Sequence, residues 1–104
     1  MRVLGREVIE FATSKHSDCK DVLEAWLDDT ENRNWQSPQD VKKLYRAASI
    51  LHGNFIIFNI KGKHYRLAIK VAYQTGIVMI KWFGTHAEYD KIDWNRLTKG
   101  EKND

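Results

Sequence analysis

The stretch NFIIFNIKGKHYRLAIKVAYQTGIVMIKWF, Asn54 to Phe83, decides the fold of this chain. Its apolar residues alternate with polar ones or run continuously, and two short segments of turn-forming residues interrupt them, at 61–63 and 74–76. This pattern predicts three consecutive strands. Because connections this short join only antiparallel strands, we expect an antiparallel meander.

The residues before this stretch have helical periodicity instead. Apolar side chains recur every three or four residues in 5–15, and again from Ser17 to Glu31. Ser37 and Pro38 begin a third predicted helix, because serine caps helices and proline is tolerated in the first turn. This helical half is expected to end at Gly53 and Asn54.

Helices followed by an antiparallel meander predict an α+β fold. We expect two to three N-terminal helices packed on a twisted antiparallel sheet. The sheet should have three to four strands, because residues 1–4 are either a short strand or a lead-in to the first helix.

The middle strand predicts two unlike sheet faces, because successive side chains point to opposite sides. One face is mostly apolar and is expected to lie under the helices: Tyr65, Leu67, Ile69, Val71 and Tyr73. The other face is small and cationic: His64, Arg66, Ala68, Lys70 and Ala72. We expect this second face to be a shallow basic trough and not a second core.

The charge distribution is uneven along the chain. Residues 41–87 hold eight basic side chains and no acidic one, although the whole chain has a net charge of only +3. A positive field of this kind suits phosphate groups. The alternative is a solvated basic face without a ligand, since sheets also use lysine to protect their edges.

Length and composition indicate a single domain, 1–104, with a polar tail at 99–104 that is expected to be frayed. The single cysteine, Cys19, excludes an internal disulfide and a cysteine metal cage. Neither a signal peptide nor an apolar run long enough to cross a membrane is recognisable, so a cytoplasmic protein is expected.

Three motifs carry a resemblance to a known family: Phe58-Asn59-Ile60, Tyr65-Arg66-Leu67 and, most specifically, Gly84-Thr85-His86-Ala87-Glu88-Tyr89-Asp90. Over residues 34–92 the chain resembles the HigB-type toxins of type II toxin–antitoxin systems, in the RelE-like group of mRNA interferases. The resemblance implies a RelE-like domain and an endoribonuclease that needs no metal or other cofactor. It further implies cleavage of mRNA on the translating ribosome, which would inhibit translation and growth.

The resemblance also implies roles for individual residues. Arg66 would contact the scissile phosphate, His86 would transfer a proton, and Tyr89 would stack on a base or assist the chemistry. Further RNA contacts would come from Asn59 and from the lysines Lys61, Lys63, Lys70 and Lys81. These residue types suit cleavage by the neighbouring 2′-OH, which needs a base that titrates near neutrality and a cation for the phosphate.

Each role has a structural alternative. His86 could be a helix cap or a surface turn, Arg66 could pair with a C-terminal carboxylate, and Tyr89 could pack against the sheet edge. The competing function is a non-catalytic RNA-binding domain that uses the same basic sheet.

The implied partners are a helix-turn-helix antitoxin of the HigA type, mRNA, the ribosome and, through the antitoxin, operator DNA. The acidic segment from Ser17 to Glu31 is a candidate docking site for the antitoxin.

Overall fold

The computed structural model describes the backbone of residues 1–103 and the side chains of residues 1–98. It contains five strands, β1 Arg2–Leu4, β2 Ser49–Leu51, β3 Phe55–Ile60, β4 Tyr65–Ala72 and β5 Ile77–Thr85. The helices are α1 Arg6–Lys15, α2 Lys20–Glu31, α3 Pro38–Leu44, α4 His86–Asp90 and α5 Trp94–Asn103. The predicted fraying of the tail at 99–104 stays a prediction, because the side chains there lie outside the described residues.

The strands form one sheet in the order β1-β5-β4-β3-β2. The meander β3-β4-β5 is antiparallel, as predicted, and β2 pairs antiparallel with β3. Only β1 runs parallel to its neighbour, β5. The α+β prediction is therefore confirmed, with five strands instead of three to four.

The additional strand, β2, comes from residues that were expected to be helical. Helix α3 ends at Leu44, because Tyr45 has non-helical backbone angles. Gly53 and Asn54 both adopt positive φ, which turns the chain sharply between β2 and β3. The pairing of Ser49–Leu51 with Phe55–Ile57 in a short hairpin decides this local structure, and a strand of three residues is too short to show a period of two.

The main core lies between one sheet face and helices α1 to α3. Leu67, Ile69 and Val71 are buried there, on the face that alternation had assigned to the helices. Phe58 joins the sheet to the helical layer, since its ring centroid lies 5.4 Å from that of Trp26 and 5.0 Å from that of Tyr45.

The opposite face carries a second, smaller core, so the expectation of an open trough is wrong. Ile57, Ala68 and Trp94 are buried together on it, and Leu51, Trp82, Tyr89 and Ile92 pack around them. The reason is α5, which brings Trp94 over the small side chain of Ala68.

Within the residues described, no helix has both the length and the apolar character to cross a membrane.

Candidate active site

The register of the sheet places two of the predicted site residues, Arg66 and Asn59, in one row. Arg66 on β4 pairs with Asn59 on β3 and with Gly84 on β5. Directly opposite residues in a sheet point to the same face. Strand β5 ends one residue beyond Gly84, at Thr85, and His86 begins α4. The strand pairing therefore brings the end of β5 beside Arg66.

A capping box determines how α4 begins. The Thr85 hydroxyl accepts a hydrogen bond of 3.2 Å from the Glu88 backbone N–H, and the Glu88 carboxylate accepts one of 2.8 Å from the Thr85 N–H. The backbone hydrogen bond from Thr85 is the main reason why the pKa of Glu88 lies below its usual value. The His86 N–H also donates to the His64 carbonyl at 3.0 Å. These bonds orient the first turn, which carries His86 and Tyr89.

Gly84 gives the site the space it needs. A Cβ atom at this position would lie 2.6 Å from two ring carbons of Trp82 and 3.0 Å from the Glu88 carboxylate. The missing side chain therefore lets Trp82 pack across β5 beside Arg66 and lets Glu88 reach back to its cap.

Arg66 is a nearly buried cation, 9% exposed, held at several points. Its Nη1 donates to the backbone carbonyls of Lys63 at 3.0 Å and Tyr65 at 3.1 Å. Its Nη2 lies 2.7 Å from Nδ1 of His86, and the guanidinium carbon lies 5.8 Å from the centroid of the Tyr89 ring. The guanidinium is thus oriented before any ligand arrives.

His86 is half exposed and lies between a cation and a carboxylate. A guanidinium can only donate hydrogen bonds, so Nδ1 accepts from Arg66 and carries the lone pair. The proton then resides on Nε2, which donates to the Asp90 carboxylate at 2.9 Å. The contacts define a chain from Asp90 through His86 to Arg66.

Asp90 is the residue that sequence reasoning missed. It lies one helical turn after His86, a spacing that brings two side chains together on the same helix face. The signal was present in the sequence, because Thr85 and Glu88 have the spacing of a capping box and predict a helix that begins at His86.

Tyr89 belongs both to the site and to the second core. Its ring stacks on Trp94, with centroids 5.2 Å apart and planes 27° apart, and lies 6.2 Å from the Trp82 ring. Burial raises the pKa of the Tyr89 hydroxyl, and the Arg66 charge opposes this only in part. The hydroxyl is therefore protonated at neutral pH.

The predicted RNA-binding lysines are spread over two ends of the sheet. Lys61 and Lys63 lie exposed in the β3-β4 turn, next to the Arg66 end of the strands. Lys61 leans toward the helical layer, where it pairs with Asp18 at 2.9 Å and holds the pKa of that carboxyl below its usual value. Lys63 instead is tied to the site through its backbone, because its carbonyl accepts the hydrogen bond from Arg66.

The remaining two lysines lie toward the other end of the face that carries Arg66. The Nζ of Lys70 lies 5.6 Å from the centroid of the Phe55 ring. Lys81 occupies an irregularity of the β4-β5 pairing, where Ile69 pairs with Ile80 and Ala68 with Trp82. The structure thus groups Arg66, His86 and Tyr89, whereas Lys70 lies four residues further along β4 and Lys81 lies at the irregularity in between.

The cluster can perform proton transfer and charge stabilisation at one point. It combines a fixed cation, an imidazole with a lone pair directed at that cation, a carboxylate behind the imidazole and a phenol. These are the groups that a phosphodiester needs for cleavage by its own 2′-OH. In the part of the chain that the structure describes, no three His, Cys, Asp or Glu side chains are grouped in a way that could hold a metal ion.

Comparison with protein families identifies one match. Residues 19–92 match the family HigB_toxin, described as the RelE-like toxic component of a toxin–antitoxin system. The match spans the second helix, the strands β2 to β5 and α4, including all of Arg66, His86, Tyr89 and Asp90. No individual curated protein matches the chain significantly. The chain belongs to this family of toxins.

Proposed function

Since the chain is the toxin component of a toxin–antitoxin system, we propose that it acts as an endoribonuclease that cleaves mRNA. The observation that supports this most is the chain of contacts from Asp90 through His86 to Arg66. A purely binding surface needs cations for phosphate. Such a surface does not require an imidazole that accepts a hydrogen bond from a buried guanidinium and donates one to a carboxylate.

The reaction begins when the scissile phosphate accepts a hydrogen bond from Nη2 of Arg66. In the free protein this nitrogen contacts the His86 ring instead. The fork of the guanidinium matches phosphate oxygens and stays charged throughout. Its Nη1 remains on the carbonyls of Lys63 and Tyr65, so binding the phosphate requires little reorganisation of the cation.

His86 is then the general base. Released from Arg66, its Nδ1 accepts the proton of the neighbouring 2′-OH as that oxygen attacks phosphorus. Asp90 stabilises the imidazolium that forms, through the bond to Nε2. The protonated Tyr89 hydroxyl donates to the departing 5′-oxygen. The products are a 2′,3′-cyclic phosphate and a free 5′-hydroxyl, so no water is consumed in this step.

We further propose that the protein cleaves mRNA in the cytoplasm, on a translating ribosome. Cleavage there would inhibit translation and growth. Membership of the family implies an antitoxin partner. We propose a helix-turn-helix antitoxin of the HigA type that docks on the acidic face of α2 and binds operator DNA in the complex.

The test is induced expression followed by mapping of the 5′ ends of cellular transcripts. New 5′-hydroxyl ends should accumulate with the wild type and be lost with Arg66→Ala and His86→Gln. His52→Gln and Arg46→Ala are matched controls, because both residues are exposed and lie outside the cluster.

The competing function, a non-catalytic RNA-binding domain, predicts the opposite result for His86. A binder keeps its effect on growth when His86 becomes glutamine, because the charge of the sheet changes little. Growth inhibition by His86→Gln without new transcript ends would refute the nuclease.

A further inference from the structure

A cleft opens between β5 and α5, on the same sheet face as Arg66. It has a volume of about 350 Å³ and is lined by Phe55, Lys81, Trp82, Ile92, Trp94 and Leu97. We call this the α5 cleft. Leu97 is 50% exposed at its mouth.

The α5 cleft combines aromatic walls with positive charge. The rings of Trp82 and Trp94 lie 5.6 Å apart at 75°, so they form a corner instead of filling the space by stacking. Lys81 lines the cleft directly, and Lys70 lies over the ring of Phe55 beside it. Aromatic faces next to lysines are the pattern by which proteins hold single-stranded nucleic acid, with bases on the rings and phosphates on the cations.

The cleft is continuous with the candidate active site. Tyr89, which borders Arg66, stacks on Trp94 and lies near Trp82, so contacts between aromatic rings connect the site to the cleft. Along β4, Lys70 follows Arg66 by four residues, or about 13 Å at the usual rise of a strand. A ligand that reaches both must be longer than a single phosphodiester linkage.

We propose that the α5 cleft is a nucleobase subsite, which holds a base of the same RNA strand whose scissile phosphate lies on Arg66. Lys70 and Lys81 bind the phosphates of that flanking segment. The subsite rests on the proposed function, because it assumes that Arg66 binds the scissile linkage. Its ligand is single-stranded RNA, since a paired base could not enter a cleft between a strand and a helix.

The test measures what the bases alone contribute to binding. A short 2′-O-methylated oligoadenylate cannot be cleaved, and the same backbone without bases keeps every phosphate. Both dissociation constants are measured by fluorescence anisotropy at low salt. The dissociation constant of the backbone without bases, divided by that of the oligoadenylate, isolates the contribution of the bases. Leu97→Glu places a carboxylate across the cleft mouth, and Leu44→Glu is the matched control, since Leu44 is 44% exposed on α3 and the charge change is identical.

We expect this ratio to fall about tenfold in Leu97→Glu relative to the wild type, which is what one stacked base supplies, and to stay unchanged in Leu44→Glu. Thermal unfolding of both variants should match the wild type, because both leucines are largely exposed. A second variant, Trp82→Leu, should lower the ratio in the same direction.

Three results would overturn the subsite. An unchanged ratio in Leu97→Glu, with RNA still bound, removes the cleft from the RNA path and leaves the nuclease intact. Loss of antitoxin binding in Leu97→Glu with an unchanged ratio assigns the cleft to the protein partner. If the wild type neither binds the oligonucleotide nor generates new transcript ends in cells, the subsite and the proposed function fall together.

Discussion

Arg66 and His86 lie 20 residues apart in the chain, yet Nη2 of the guanidinium contacts Nδ1 of the imidazole at 2.7 Å. The contact arises because Arg66 pairs with Gly84 and α4 begins two residues later. In the free protein each group therefore satisfies the other. Under the proposed mechanism a phosphate replaces this contact and frees the lone pair of His86 at the moment it is needed.

Asp90 is expected to act as a positioning residue for His86. Asp90→Ala should slow RNA cleavage about tenfold, because the imidazole loses the partner that orients it and stabilises its charged form, while RNA affinity stays unchanged. Asp90→Asn should lie in between, since the amide oxygen can still accept from Nε2. Single-turnover cleavage and anisotropy separate the two effects. Asp21→Ala is the control, because Asp21 is exposed on α2. Cleavage by Asp90→Ala at the wild-type rate would show that Asp90 does not position His86.

Lys63 should contribute to RNA binding through charge alone. Lys63→Gln should lower the slope of log K against log salt by about 0.7, the value for one phosphate contact on a single strand. Lys61→Gln should change the slope less, because Lys61 is already paired with Asp18. Lys43→Gln on α3 should leave it unchanged. Equal slopes for Lys63→Gln and the wild type would place the RNA elsewhere.

Gly84 should tolerate no side chain. Gly84→Ala is expected to lower the free energy of unfolding by about 1–3 kcal/mol, because the new methyl group meets the rigid ring of Trp82. Cleavage should fall as well, since Glu88 is displaced from the cap that orients α4. Urea unfolding and a cleavage assay measure both effects. Gly76→Asn is the contrasting variant: nothing lies within 4 Å of its Cβ position, and asparagine tolerates the positive φ there.

The two tyrosines Tyr73 and Tyr45, at the helical layer, should respond in opposite ways to loss of the hydroxyl group. Burial raises the pKa of Tyr73 to about 12, and among the residues described its hydroxyl has no hydrogen-bond partner. Tyr73→Phe should therefore raise the free energy of unfolding by about 1 kcal/mol at pH 7. Tyr45→Phe should lower it, because the Tyr45 hydroxyl donates to Asp29 at 2.6 Å.

The sign of the pH effect follows from the raised pKa of Tyr73. Unfolded tyrosine ionises near its ordinary pKa of 10, before the folded group does, so ionisation of Tyr73 leaves the free energy of unfolding unchanged below pH 10 and lowers it between pH 10 and about 12. Tyr73→Phe should accordingly lose less stability than the wild type over this interval. Urea unfolding at pH 7 and pH 11 measures this loss. If the wild type and Tyr73→Phe lost the same free energy of unfolding between the two pH values, Tyr73 would not be the group responsible.

Much of the fold was readable from local patterns. The period-two stretch from Asn54 to Phe83 predicted the meander, and alternation in β4 placed Leu67, Ile69 and Val71 on the helical face, where they are buried. These predictions succeed because strand alternation and short turns are properties of adjacent residues. The motif from Gly84 to Asp90 likewise pointed to the family that the chain belongs to.

The sequence alone determined the α+β class and the antiparallel meander, since both depend on neighbours along the chain. Only the tertiary structure decided that Arg66 and His86 touch, and that α5 converts the second face from a trough into a small core with a cleft. Those features depend on strand register and on the docking of a distant helix. Both are set by packing between segments far apart in sequence, which no local pattern encodes.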